Sequence, residues 1–169
     1  MNRIKTSIAL ILCALLANVS CMAQKSNENF DFTVKVVGIS DGDTFKGLTN
    51  SNAQIKFRIQ GIDAPEMKQP YSQRSKQLLS DLIFDKTVKI RIKEIDHYGR
   101  IVAYVFTPDG KDVSAEMLKA GMAWHYKTYD TSEEYSKLEK TARDNKIGLW
   151  EVANPTAPWD YRKAKKAKK

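Results

Sequence analysis

The chain predicts a small β-barrel carrying packed helices, an α+β fold, and three observations predict it. Short segments of alternating apolar and polar residues recur five times, a helical stretch interrupts them after the third, and two more helical stretches follow the fifth. At 169 residues, with 42% hydrophobic and 9% aromatic content, the chain suits one domain with a modest core. A multidomain machine and a wholly disordered chain are both excluded.

The first strand is read from Phe32, Val34 and Val36 alternating with Thr33 and Lys35, before Val37, Gly38 and Ile39 lead into a turn. Thr44 to Leu48 forms the second, closed by the turn formers Thr49, Asn50, Ser51 and Asn52. In the third, Ile55, Phe57 and Ile59 alternate with Lys56, Arg58 and Gln60, which buries the first set and turns Arg58 the opposite way. Pro70 stands near a helix start, where its missing N–H costs little, and Leu78, Leu79, Leu82 and Ile83 give that helix an apolar face. Val88 to Ile95 and Ile101 to Phe106 supply two further strands, joined through Asp96, His97, Tyr98 and Gly99. Asp112 can cap a short helix ending at Gly121. Thr131 or Ser132 can cap the next, with Glu133 and Glu134 in its positive first turn and Tyr135, Leu138 and Ala142 on one side. Five short strands, read as antiparallel, and three α-helices make a five-stranded OB-fold barrel the expected architecture, over residues 30–152.

The flanks read differently. Arg3 and Lys5, the apolar run Ile8 to Ala17 and the small residues from Ser20 to Ala23 form an export signal over residues 1–23, followed by a polar leader at 24–29. Cleavage after Ala23 gives a secreted or periplasmic bacterial protein; cleavage before Cys21 gives a lipoprotein anchored through that residue. Both cysteines, Cys13 and Cys21, lie in this leader, so no disulfide is expected in the mature fold. The apolar run is short for a bilayer span, and no transmembrane segment is expected after its removal. The formal charge of +8 is almost all tail: twenty basic residues face twenty acidic ones between Gln24 and Asp160, whereas Arg162, Lys163, Lys165, Lys166, Lys168 and Lys169 close the chain. Residues 153–169 therefore read as a basic C-terminal segment, either a polyanion-attracting tail or a solvated end distant from the chemistry.

Three clusters fall at strand ends or loops. Asp41-Gly42-Asp43-Thr44 alone is a good hairpin turn, Asp63-Ala64-Pro65-Glu66 alone is a turn into a helix, and Asp96 to Arg100 alone is a tight connection. Together they supply what turns do not need. Asp41, Asp43, Asp63 and Glu66 repel one another unless a cation sits among them, and Arg58 and Arg100 reach the same barrel face. Oxygen-only donors favour a hard ion, calcium rather than zinc. A divalent ion with two guanidinium forks is a receptor for phosphate.

In this order and spacing the three clusters resemble the staphylococcal nuclease-like, or thermonuclease, family, over about Phe32 to Trp150. The resemblance implies an OB-fold enzyme that hydrolyses DNA and RNA with low sequence specificity at the bond to the 5′ oxygen, leaving 3′-phosphate ends. It implies Ca2+ held by Asp43, Asp63 and the backbone carbonyl of Ala64, with Asp41 nearby through water. Arg58 and Arg100 would bind the scissile phosphate, and Glu66 would orient or deprotonate the attacking water. It also implies DNA and RNA as the partners of a monomer with no protein partner.

These roles agree with the reaction's demands. Attack on a phosphodiester adds negative charge to oxygens already charged, so stabilisation must come from fixed cations. A carboxylate aligns the water and accepts its proton. His97 stands where the family often carries Lys, and the loop after Trp124 to Tyr129 is shorter, so Tyr126, Tyr129 and His97 carry over only as weaker substrate contacts. Trp124 and Trp150 read as core, and His125 as a structural hydrogen-bonding residue. The rival class is a nonenzymatic OB-fold that binds single strands through a basic groove with stacked aromatics; it needs no carboxylate cluster.

Overall fold

The computed structural model describes residues 29–168. The export signal and Cys21 lie outside those residues. Among the described residues no helix is long and apolar enough to cross a membrane. In chain order they form β1 (Phe32–Ile39), β2 (Thr44–Leu48), β3 (Gln54–Ile59), β4 (Ile62–Asp63), α1 (Ser72–Ile83), β5 (Thr87–Ile95) and β6 (Ile101–Phe106). α2 (Val113–Lys119), β7 (Trp124–His125), α3 (Glu133–Asp144), a 3-10 turn at Gly148–Glu151 and α4 (Pro158–Ala167) complete the order.

Strands β1, β2, β3, β6 and β5 close into a barrel in that order. Four of the five seams are antiparallel, but β3 pairs β6 in parallel through Phe57 with Ile101 and Ile59 with Ala103. The expectation of an all-antiparallel barrel is corrected on that seam: α1 and β5 intervene, so β6 arrives beside β3 running in the same direction. The alternation read from β1 and β3 is the burial pattern itself, with Val34, Val36, Phe57 and Ile59 inside. Phe45 stacks on Phe57 with ring centres 5.0 Å apart, and Leu79 and Ile83 of α1 join the same core.

Ser132, not Thr131, caps α3, accepting from the Tyr135 amide, and Asp112 caps α2 through the amides of Ser114 and Ala115. The helices number four among the described residues, where three were expected. The fourth, α4, falls in the segment read as tail. Pro158 opens it at the first helical turn, where a missing N–H is harmless, and Asp160 meets its positive end. It rests on a second apolar cluster of Trp124, Ala142, Leu149, Trp150 and Ala157, against which Trp159 also packs.

Candidate active site

One end of the barrel carries a cleft of about 930 Å³ lined by all three sequence clusters and by α4. The β1–β2 turn delivers Asp41 and Asp43. It is pressed so closely on α1 that a Cβ on Gly42 would lie 1.9 Å from the Ser75 hydroxyl oxygen, so only glycine fits there. The Asp43 amide donates to Asp41 Oδ1 at 3.2 Å, and Asp43 itself is buried. Its Oδ1 accepts from the Thr44 hydroxyl at 3.1 Å, and its Oδ2 accepts from the Ala64 amide at 2.6 Å. That last bond ties the first cluster to the second across 21 residues.

β4 and β7 pair as a two-residue ribbon that fixes the second cluster, setting Asp63 opposite Trp124. Asp63 is 1% exposed. Arg58 leaves β3 away from the core, as the alternation requires, and forks between two carboxylates: Nη1 pairs with Asp43 and Nη2 donates to Asp63 Oδ1 at 2.9 Å. Desolvation works against the Arg58 charge, but Asp43, Asp63 and Asp41 outweigh it and raise the guanidinium above its ordinary range. Burial, reinforced by neighbouring Asp43, pushes Asp41 up to about 6. Burial also raises Asp63, even against two arginines.

Arg100 stands apart from that cluster. Its Nε donates to Asp96 Oδ2 at 2.7 Å, its amide donates to Asp96 Oδ1 at 2.9 Å, and its guanidinium lies over the Tyr98 ring at 5.3 Å. His97 and Tyr129 line the cleft from exposed positions, and Tyr126 from a half-buried one. His125 is buried, held by Ser136 at one ring nitrogen and Asp130 at the other. Trp124 and Trp150 are buried edge to face at 4.4 Å, with Arg143 over both.

The residue that sequence reasoning missed is Arg162. Far from being remote from the chemistry, it donates from Nη2 to Asp63 Oδ2 at 2.8 Å. Its Nη1 donates to Asp63 Oδ1 at 3.2 Å and to Glu66 Oε1 at 2.8 Å. The helix signal was present in Pro158 and Asp160, but six clustered cations masked it. Lys166, one turn further on, lines the same cleft.

The donor set suits a hard divalent cation in kind. Asp41, Asp43 and Asp63 are carboxylates with no thiol or imidazole among them, and the upward push on Asp41 by Asp43 is a repulsion that a cation would relieve. Among the described residues, however, no three acidic, imidazole or thiol groups already converge as a cage. Arg58 pairs with Asp43 and Asp63 instead, and Arg162 also holds Asp63.

Residues 56–152 match the family of staphylococcal nuclease homologues. An uncharacterized endonuclease of Haemophilus influenzae is 40% identical over 161 residues, covering 95% of this chain and 85% of that protein. A micrococcal nuclease of Shigella flexneri is 39% identical over 146 residues, covering 80% of this chain and 83% of its own. A staphylococcal-like nuclease of Arabidopsis thaliana is 40% identical over 113 residues, covering 67% of this chain and 35% of its own. With the closed barrel and the acid-and-arginine cleft at its end, these similarities place the chain in the staphylococcal nuclease family, as a phosphodiester hydrolase acting on nucleic acid.

Proposed function

We propose that the protein is a secreted, calcium-dependent nuclease that cuts DNA and RNA with low sequence specificity and leaves 3′-phosphate ends. The observation that carries this reading is the meeting of Asp43, Asp63, Glu66, Arg58 and Arg100 around one cleft. Asp43, Asp63 and the Ala64 carbonyl would hold Ca2+, with Asp41 reaching it through water; when bound, the ion neutralises charge on the scissile phosphate. Arg58 and Arg100 hold phosphate oxygens, the first from a buried position fixed by two carboxylates, the second from the connection between β5 and β6. Glu66, half-buried in the cleft lining, aligns a water for attack on phosphorus and takes one of its protons as the new P–O bond forms. The bond to the 5′ oxygen breaks, and that oxygen leaves as a hydroxyl with a proton drawn from solvent. Tyr126, Tyr129 and His97 flank the nucleotide. Export rests on the charged start, apolar run and small-residue end of the leader.

Digestion of plain double-stranded DNA, single-stranded DNA and RNA, with calcium or with a chelator, tests the reading. Cleavage in calcium alone, with phosphate on the 3′ product ends, supports it. Binding without cleavage in calcium would support the single-strand-binding class instead.

A further inference from the structure

Arg162 is delivered to the cleft by a built contact rather than by a loose end. Trp159, three residues before it, stacks on Tyr126 with ring centres 5.3 Å apart and planes 6° from parallel, and meets Trp124 edge to face at 5.5 Å. Ala157 and Pro158 are buried, and Gln69 Nε2 donates to the Thr156 carbonyl at 2.9 Å just before the helix. The Oε1 of the same Gln69 accepts from the Glu66 amide at 2.9 Å, so one side chain joins the approach to α4 to the segment bearing Glu66.

Oxygen accounting on Asp63 then limits what else can bind. Its Oδ1 accepts from both Arg58 and Arg162, and its Oδ2 accepts from Arg162. A carboxylate offers about four lone-pair sites, and three of these are taken before any ion arrives. One acceptor site is left, but a divalent ion using it would be the third positive group on a single carboxylate, so the less firmly held arginine yields. Arg58 is 13% exposed and clasped by two aspartates from a barrel strand, whereas Arg162 is 38% exposed and sits on the terminal helix. Repulsion asks only that one cation leave, and the geometry makes Arg162 that cation.

We propose that Arg162 is the site's built-in counter-cation: it neutralises Asp63 and Glu66 in the metal-free protein and must leave Asp63 when a divalent cation binds. Metal binding and Arg162 departure are thus one competitive step. The inference rests on the calcium reading above. Once released, Arg162 remains on the cleft wall beside Lys166.

Calcium affinity measured by titration calorimetry, and terbium affinity by sensitised luminescence, test it on the full chain, comparing wild type with Arg162→Gln and Arg162→Lys. If the released state is about one-tenth of the metal-free population, Arg162→Gln should bind calcium about 10-fold more tightly, because apparent affinity is reduced by the competent fraction. Arg162→Lys, with one donor group in place of a fork, should fall between. Thermal unfolding supplies the second readout: Arg162→Gln should melt lower than wild type without metal and within error of it at saturating calcium. Equal or weaker calcium binding by Arg162→Gln, in a wild type that binds and cleaves with calcium, overturns the competition and leaves the nuclease reading standing. If neither wild type nor Arg162→Gln binds calcium or terbium, both readings fall.

Discussion

Replacing Arg58 by Lys keeps the charge and removes the fork, which separates the two things this side chain supplies. The guanidinium spans Asp43 and Asp63 with different nitrogens, while a single ammonium on a flexible stem cannot hold both carboxylates in that geometry. One charged hydrogen bond is lost. Loss of such a bond costs about 1.5–3 kcal/mol, less than the 3–5 kcal/mol or so of breaking a buried pair outright, because the positive charge stays and Arg162 still covers Asp63. In a domain of this size each kcal/mol lowers the melting temperature by roughly 4 °C, so a fall of about 6–12 °C is expected. The chemical cost is separate: removing one fixed donor to developing transition-state charge lowers turnover by about 10²–10³-fold. Turnover is read on a defined single-stranded oligonucleotide with saturating calcium at 20 °C, well below the melting transition, with the melt followed by circular dichroism. Arg58→Lys turning over within about threefold of wild type, or melting with it, would refute the bidentate role.

Glu66→Gln should lower turnover with oligonucleotide affinity unchanged or tighter, since one negative charge beside the phosphate disappears; equilibrium binding and single-turnover cleavage measured side by side check both halves. Tyr135→Phe removes the hydroxyl that donates to Asp112 Oδ2 at 2.6 Å, loosening the cap of α2; Asp112 is only partly buried, so about 1–2 kcal/mol should be lost in urea unfolding. For Asp96, burial acts upward, but hydrogen bonds from the Arg100 amide and side chain and the Tyr98 amide outweigh it and hold the carboxyl below its usual range. The unfolded chain therefore binds a proton at higher pH than the folded one, and the stabilisation is present above the ordinary carboxylate range and lost as pH falls through the folded value. Melting curves of metal-free protein between pH 2 and 5 or so should show a flatter acid limb for Asp96→Asn than for wild type.

Where residues that meet are close in sequence or share one strand's alternation, the sequence displays the outcome. Val34, Val36, Phe57 and Ile59 are spaced by two, and their burial follows from the pleat; Arg58, between two of them, must leave the core. Asp112 and Ser132 cap helices through amides two or three residues away. The parallel β3–β6 seam has no such local marker, because its direction is set by how the chain returns after α1 and β5. Arg162 meets Asp63 across 99 residues. Six cations within eight residues read as either a polyanion-attracting tail or a solvated end, and the decisive fact, that Trp159 lies flat on Tyr126, belongs to the assembled tertiary structure rather than to either segment.

The three arginines of the cleft are distinguished by what each must give up to meet a phosphate. Arg58 is held on both sides by carboxylates proposed to carry the ion, so it can approach substrate only while keeping those contacts, which makes it a group fixed in place rather than one that moves. Arg162 is bound to Asp63 and Glu66, so its charge reaches substrate only after a competing cation displaces it. Arg100 is hydrogen-bonded through Nε to Asp96, which lies outside the Asp41, Asp43 and Asp63 set, and it pairs with no other carboxylate among the described residues. A phosphate can therefore dock on Arg100 at no cost to the carboxylates that would hold the metal. Asp96 meanwhile keeps the guanidinium aimed, and for that reason Asp96→Asn is expected to slow cleavage as well as flatten the acid limb.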